Sequence, residues 1–255
     1  GLLNEQDLVL EAILNTHCHG DHVGGNAYLV EHTGAKVYAP LYDSVMVQHP
    51  WWGAMCMFGG AEPLAELRVP RFAPDPCAVD VVVTEGEIDV AGVTVGVVPL
   101  PGHTGTHTGY IVRDVFFLGD TLPGEAELTR SAISYAYSIT HWLESLEKLR
   151  QYSCAYYVLG HGGVERDISI LIERNIVRVK ETLDFIKGYL AAHSAEASEI
   201  LKAVCQHYGI EIRNIKHYYR WYPVMHSFLS HLSNAGEIRQ EVRDNRLLWR
   251  TVEGG

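Results

Sequence analysis

Seven residues among the first 161 have the types and the spacing to hold cations. The run Thr16-His17-Cys18-His19-Gly20-Asp21-His22 places three imidazoles and one carboxylate within six consecutive positions. Three more candidates stand beside glycine: Gly102-His103-Thr104, Gly119-Asp120-Thr121 and Gly160-His161-Gly162. Five imidazoles and two carboxylates suit borderline cations, zinc first, with manganese or iron also compatible; a structural zinc site would be richer in thiolate. Seven donors exceed one closed tetrahedron. They suit two divalent cations a few ångströms apart, with Asp120 as a bridging carboxylate and positions left for water. Such a pair lowers the pKa of bound water to about 7 and supplies hydroxide at neutral pH. Any one of these histidines alone could equally sit in a solvated loop and serve nearby backbone. Four such loops together argue against that for the set.

Each candidate follows a segment that reads as a strand. Residues 9–15 (VLEAILN) are apolar and partly β-branched, and residues 93–99, 115–118 and 155–159 repeat the pattern ahead of His103, Asp120 and His161. Glycine at each strand end permits the tight turn that aims a side chain off the strand. Further strands are expected at 36–39, 79–83, 88–90 and 110–112, and helices at 26–33 and 139–152, the latter with Trp142, Leu146 and Leu149 on one face. Alternating strands and helices predict a layered α/β domain over residues 1–165. Residues 50–77 (starting PWWGAMCMFGGAEPL) show no clean period, so they read as a long functional loop or one carrying short helices. Trp51, Trp52, Met55, Met57 and Phe58 would then form either a substrate wall over the cations or a satellite core. Residues 166–255 change texture. Helices are expected at 168–189, 195–208 and 223–234, then strands at 238–242 and 247–252 joined by Asp244-Asn245, an order that suggests a small winged-helix-like domain.

The HxHxDH run of His17, His19, Asp21 and His22, followed by His103, Asp120 and His161, resembles the metallo-β-lactamase superfamily, with all seven of its metal positions matched in order. The resemblance covers about residues 9–165. It implies an α/β fold, the αβ/βα sandwich, with two divalent metal ions at one edge of two facing sheets. It also implies that His17, His19 and His103 bind one metal, that Asp21, His22 and His161 bind the other, and that Asp120 bridges them. A complete second site favours hydrolysis over one-iron oxidation. The family places a β-hairpin region ahead of HxHxDH, whereas only sixteen residues precede His17 here, so a segment before Gly1 is expected. The C-terminal region is similar to the winged-helix tail of a lactamase-like subgroup that includes an endoribonuclease.

The expected function is a metal-dependent hydrolase acting on an ester, thioester or related small-molecule bond, with Asp21 or Asp120 holding and passing the proton. Two other readings stand beside it: an endoribonuclease or phosphodiesterase on single-stranded RNA, and a metal-stabilised binding or assembly module. The segment Arg213 to Tyr222 (RNIKHYYRWY) interleaves basic and aromatic side chains that could stack bases, pack between helices, wall a small-molecule pocket or meet a second copy of the chain. Charge speaks against a broad phosphate-binding surface. Residues 171–255 carry 12 basic against 10 acidic side chains, and the rest carry 8 against 21. With an apolar fraction of 47%, the chain can bury a sizeable core. No apolar run approaches 18 residues, so no membrane span is expected, and no leader is visible, which makes the cytoplasm the expected compartment. Five scattered cysteines read as free thiols. Cys18 is expected to point away from His17 and His19 as a buried spectator. His107 is expected beside the ligands or on the surface rather than among them, and Thr104 and Thr121 are positioned to orient ligands.

Overall fold

The computed structural model describes residues 5–130 and 134–252. Two sheets face one another. The first has three parallel strands in the order β1 (Ala12–Leu14), β2 (Lys36–Pro40) and β3 (Val81–Val83). The second has six, in sequence order: β4 (Gly86–Val90), β5 (Val93–Pro99), β6 (Thr108–Val112), β7 (Val115–Gly119), β8 (Tyr156–Leu159) and β9 (Gly163–Glu165). All neighbours in it are antiparallel except β7 and β8, which run parallel.

The period-2 alternation of strand side chains assigns the layers. On β2, Tyr38 faces the second sheet and packs with Val83, Val90, Val95, Val97 and Tyr110. Its neighbour Val37 faces the other way, toward Val23, Val47 and Cys77. That outer layer is made by α1 (Gly20–Val23), α2 (Asn26–Thr33) and α3 (Leu41–Gln48). On the far side of the second sheet, Phe116 and Leu118 of β7 meet Trp142, Leu146 and Leu149 of α6 (Ile139–Leu149). The result is the expected αβ/βα sandwich.

Residues 50–77 do carry short helical pieces: α4 (Trp51–Met57) and a 3-10 turn at Ala65–Leu67. A short helix α5 (Glu125–Arg130) and the edge strand β9 had no visible sequence signal. The first buries only Leu128, and the second is exposed throughout. Of residues 9–15, only Ala12–Leu14 pair as a strand.

The C-terminal region holds α7 (Ser169–Ala192), α8 (Ala197–Tyr208), α9 (Ile215–Asn234) and the hairpin β10 (Ile238–Arg243) and β11 (Arg246–Thr251). Asp244 and Asn245 both have positive φ, 52° and 60°, the turn geometry that matches strand twist in a two-residue hairpin. Helix α9 starts eight residues earlier than the proline at 223 suggests, because Asn214 caps it by accepting the His217 N–H at 3.0 Å. It continues through Pro223, whose missing N–H leaves one helical hydrogen bond unmade. Among the described residues no helix is long and apolar enough to cross a membrane.

One apolar core runs without a break from Val98, Phe116 and Leu146 through Ile172, Ile186 and Ile200 to Phe228 and Trp249. Ser227 of α9 also accepts the Ile139 N–H at 2.9 Å, tying α9 to the first residue of α6. Phe228 is fully buried in this core. Phe228→Ala is expected to cost about 3–5 kcal/mol and to shift one cooperative unfolding transition. Two separate transitions in denaturant would show that the helical region and the sandwich unfold independently.

Candidate metal centre

The four loops meet at one edge of the sandwich, each leaving the C-terminal end of a strand. The loop after β1 is stitched to β6 of the facing sheet: Thr16 O accepts the Thr108 N–H at 2.9 Å, and Asn15 O accepts the Tyr110 hydroxyl at 2.8 Å. His17 and His19 therefore stand between the sheets. Asp21 and His22 follow on the single turn of α1. Asp120 leaves β7, and His161 leaves its parallel neighbour β8, the two turns joined by Gly160 N–H donating to Gly119 O at 2.8 Å.

Glycine is required at two of these turns. A Cβ at Gly160 would collide with the Asp120 carboxylate, so its absence makes the room that Asp120 occupies. Gly102, at φ 137°, lies against the Trp142 backbone where no side chain fits.

All seven predicted residues come together. Asp120 Oδ2 is the hub, 3.4 Å from Nε2 of His22, His103 and His161 and 3.8 Å from Nε2 of His17. The donor atoms fall into two groups, His17, His19, His103 and Asp120, and then Asp21, His22 and His161; within each group they lie within 4.8 Å of one another. His19 Nδ1 is 3.0 Å from His103 Nε2, His22 Nε2 is 3.2 Å from His161 Nε2, and Asp21 Oδ2 is 3.5 Å from His161 Nε2.

These spacings fit cations. Donors about 2.0–2.1 Å from a tetrahedral zinc stand about 3.3–3.4 Å apart. The tautomers fit as well. His103 Nδ1 faces the Tyr135 carbonyl at 3.0 Å, an oxygen that can only accept, so Nδ1 carries the proton and Nε2 offers its lone pair. His17 Nδ1 lies 3.0 Å from the Thr16 hydroxyl, which can fix its ring in the same sense. Two buried atoms, His17 Nε2 and Asp120 Oδ1, have no hydrogen-bond partner, a costly arrangement that a bound cation would relieve.

Electrostatics agree. Burial, followed by the neighbouring imidazoles, holds His17 well below the ordinary histidine range, and burial likewise lowers His103 and His19. They are neutral and able to ligate. Burial alone would raise Asp120, but the His22 hydrogen bond first, and the imidazoles gathered around the carboxylate, outweigh it, so the carboxylate stays ionised. His22 is lowered by burial yet raised overall by its hydrogen bond to Asp120.

His107 is not a ligand. It is buried, accepts the Asp120 N–H at Nε2 (3.1 Å), and meets the Thr121 hydroxyl at Nδ1 (3.0 Å). Because Nε2 accepts, Nδ1 bears the proton and donates to Thr121. Burial pushes its pKa down to about 4, so it remains a neutral strut under the Asp120 backbone. Cys18 is a spectator: its thiol contacts Met46 Sδ at 3.4 Å, and burial pushes its pKa up.

One residue had no signal in the sequence. Asp43, at the start of α3, is buried and accepts the Cys18 N–H at 2.9 Å, the Thr104 hydroxyl at 3.1 Å and the Thr106 hydroxyl at 2.6 Å. Cys18 lies between two donors and Thr104 follows a third, so this carboxylate clamps the two loops that carry His17, His19 and His103. A cavity of about 540 Å³ opens beside the cluster. Met46, Met57 and Phe72 are among its apolar lining, and Arg71, Glu127 and Arg220 join Asp21, Asp43 and Asp120 as its charged groups. Met57 thus belongs to the wall, whereas Trp51 and Trp52 lie largely exposed on α4, with the Arg68 guanidinium over the Trp51 ring at 5.3 Å.

A two-sheet sandwich with a nitrogen- and carboxylate-rich donor cluster at one edge is the class these observations define. The sequence profile of the metallo-beta-lactamase superfamily matches residues 2–161, and the chain belongs to that superfamily. It is 24% identical over 256 residues to an atrochrysone carboxyl ACP thioesterase of Aspergillus fumigatus, a match covering 96% of this chain and 52% of that protein. It is 35% identical over 117 residues to a hydroxyacylglutathione hydrolase of Dechloromonas aromatica, covering 46% of this chain and 33% of that protein. The matches thus span about half of the first relative and a third of the second. In fold it is similar to a beta-lactamase domain protein from Burkholderia ambifaria (TM-score 0.78, 17% identity, 98% of this chain and 78% of that one). It is also similar to a metallo-beta-lactamase family protein from Thermus thermophilus (TM-score 0.72, 19% identity, 98% and 84%).

Asp43→Asn keeps the shape of the clamp but removes its charge and turns one acceptor into a donor. Metal affinity, titrated against a competing chromophoric chelator, is expected to fall by about 10–100-fold. An unchanged affinity would remove Asp43 from the positioning of the donors. Gly160→Ala should displace Asp120 and lower metal content in the same assay, while far-ultraviolet circular dichroism stays native.

Proposed function

We propose that the protein is a metal-dependent hydrolase of a small carboxylic ester or thioester. The observation that carries this reading is the convergence of seven donor side chains, with Asp120 at their centre, at the wall of a largely apolar cavity. His17, His19 and His103 would hold one divalent cation, Asp21, His22 and His161 a second, and Asp120 would bridge them; zinc suits these donors best, with manganese or iron as alternatives. When bound, such cations bring the pKa of water to about 7 and polarise a carbonyl oxygen.

The chain's own residues supply the rest. Tyr135 O and Thr16 set ring orientation, and His107 and Asp43 fix the loops. Asp120 remains a charged hub, which suits bridging better than proton storage. Asp21 lines the cavity and is partly exposed, so we assign it the proton that is taken up and passed on. The apolar lining excludes water from the substrate's body.

The placement of the segment 213–222 supports a small-molecule substrate over RNA. Tyr218 stacks on Tyr222 at 5.3 Å, Tyr219 meets Phe58 at 5.1 Å, and Trp221 is buried, so these rings are engaged within the protein. Arg213 pairs with Glu211, and Arg220 lines the cavity. We read residues 1–165 as the hydrolase unit and 166–255 as a helical unit that completes its pocket. The winged-helix-like reading of the second unit rests on its order of three helices and a hairpin.

Metal analysis is expected to give about two divalent ions per chain, and fewer than about 1.5 would undercut the pair. Chelation should abolish turnover of a simple aryl ester or thioester, and zinc should restore it. Asp120→Ala should lower kcat by at least about 100-fold, close to 3 kcal/mol, with the fold retained. Turnover that survives this change would point to a binding or assembly module instead. RNA cleavage with activity falling steeply between about 50 and 200 mM salt would favour the ribonuclease reading.

A further inference from the structure

Two like charges share the cavity beside the metal cluster. Arg71, in the segment ahead of β3, and Arg220, on α9, both line it. Arg220 is half-buried, and among the described residues its guanidinium has no ion pair and no hydrogen bond; the Trp221 ring lies 5.2 Å from the guanidinium carbon. Burial and then the charge of Arg71 lower its pKa, the repulsion from Arg71 outweighing the attraction of Glu127. A guanidinium remains protonated in proteins regardless. Arg71 is half-exposed, and among the described residues its one ion pair is a long one, 3.7 Å to Asp21.

The carboxylates facing this space also have partners of their own. Asp43 is saturated by three hydrogen bonds, and Asp120 is surrounded by imidazoles. Asp21 is grouped with His22 and His161. Glu127 is raised by burial first and by Asp120 second, which weakens it as a counter-charge. Desolvating a cation beside another cation costs free energy, which the attraction of Glu127 and Asp21 offsets only in part. An oxyanion bound by guanidinium forks would return the rest through charge-assisted hydrogen bonds.

We propose that Arg71 and Arg220 form an oxyanion subsite, so that the substrate carries a carboxylate or phosphate on an apolar body whose scissile carbonyl faces the metal cluster. The assignment of the scissile carbonyl rests on the hydrolase reading; the anion subsite itself does not. Met57, Phe72 and Pro223 line the same cavity and suit the apolar body.

Equilibrium binding of three probes tests it: 4-phenylbutyrate, phenyl phosphate and the neutral 4-phenylbutyramide. Each is titrated into metal-loaded and chelated protein, wild type, Arg220→Gln, Arg71→Gln and the double variant. Wild type is expected to prefer an anion over the amide by at least about tenfold in both metal states. Arg220→Gln should cut that preference severalfold, and the double variant should abolish it. The preferred anion, carboxylate or phosphate, identifies the group. No preference in wild type would overturn the subsite. So would a preference that survives both substitutions, or one that disappears on chelation while persisting in the loaded arginine variants, because the anion would then sit on the cations. If Arg220→Gln folds poorly, the half-exposed Arg71→Gln carries the same comparison. Anion preference without ester turnover would sink the hydrolase reading and leave the subsite standing, and turnover without anion preference would do the reverse.

Discussion

Asp120 is the constraint around which the site is organised. One carboxylate oxygen lies within 3.8 Å of four imidazoles drawn from three loops, and the parallel pairing of β7 with β8 puts Asp120 and His161 side by side. Burying several imidazoles together is unfavourable while any is protonated, and burying a carboxylate alone is unfavourable while it is ionised. Around Asp120 the two costs offset each other. The remaining deficit, at His17 Nε2 and Asp120 Oδ1, is of the kind a divalent cation removes.

The supporting structure holds that arrangement against its tendency to open. Asp43 joins the HxHxDH loop to the loop of His103, and His107 braces the backbone of Asp120 from below. Gly160 leaves a space that only a glycine can leave. None of these three supplies a donor, yet each determines where donors stand. In a close-packed interior such supports transmit small displacements directly to the atoms they carry.

How far the sequence could be read follows from which forces act locally. The seven candidate donors were legible because each sits in a short turn after a strand, where residue type and glycine spacing suffice. The strand at Val93–Pro99 and the helix at Asn26–Thr33 were legible because their own periodicity sets their limits. Asp43 was not, since an aspartate in the first turn of a helix is ordinary until its partners, about 60 residues on, are known. Arg220 stood in a strip read in several ways because Pro223 seemed to start the helix. Extended back to the Asn214 cap, Tyr218, Trp221, Tyr222 and Met225 fall at helical spacing on the packed face, and the strip resolves into core and pocket wall. The winged-helix likeness came from element order and a loose resemblance of the C-terminal runs, weaker guides than residue chemistry.

The path of α9 has a consequence for the order of events during synthesis. Every candidate donor lies at or before His161, whereas Arg220 and Pro223, which close the cavity, and Ser227 and Phe228, which seat the helix, come roughly sixty residues later. At translation rates of about 5–20 residues per second, that gap is on the order of 3–12 s. A nascent chain can therefore bring its seven candidate donors together while the cluster still lies open to solvent, and only afterwards does the last long helix supply its side of the cavity wall.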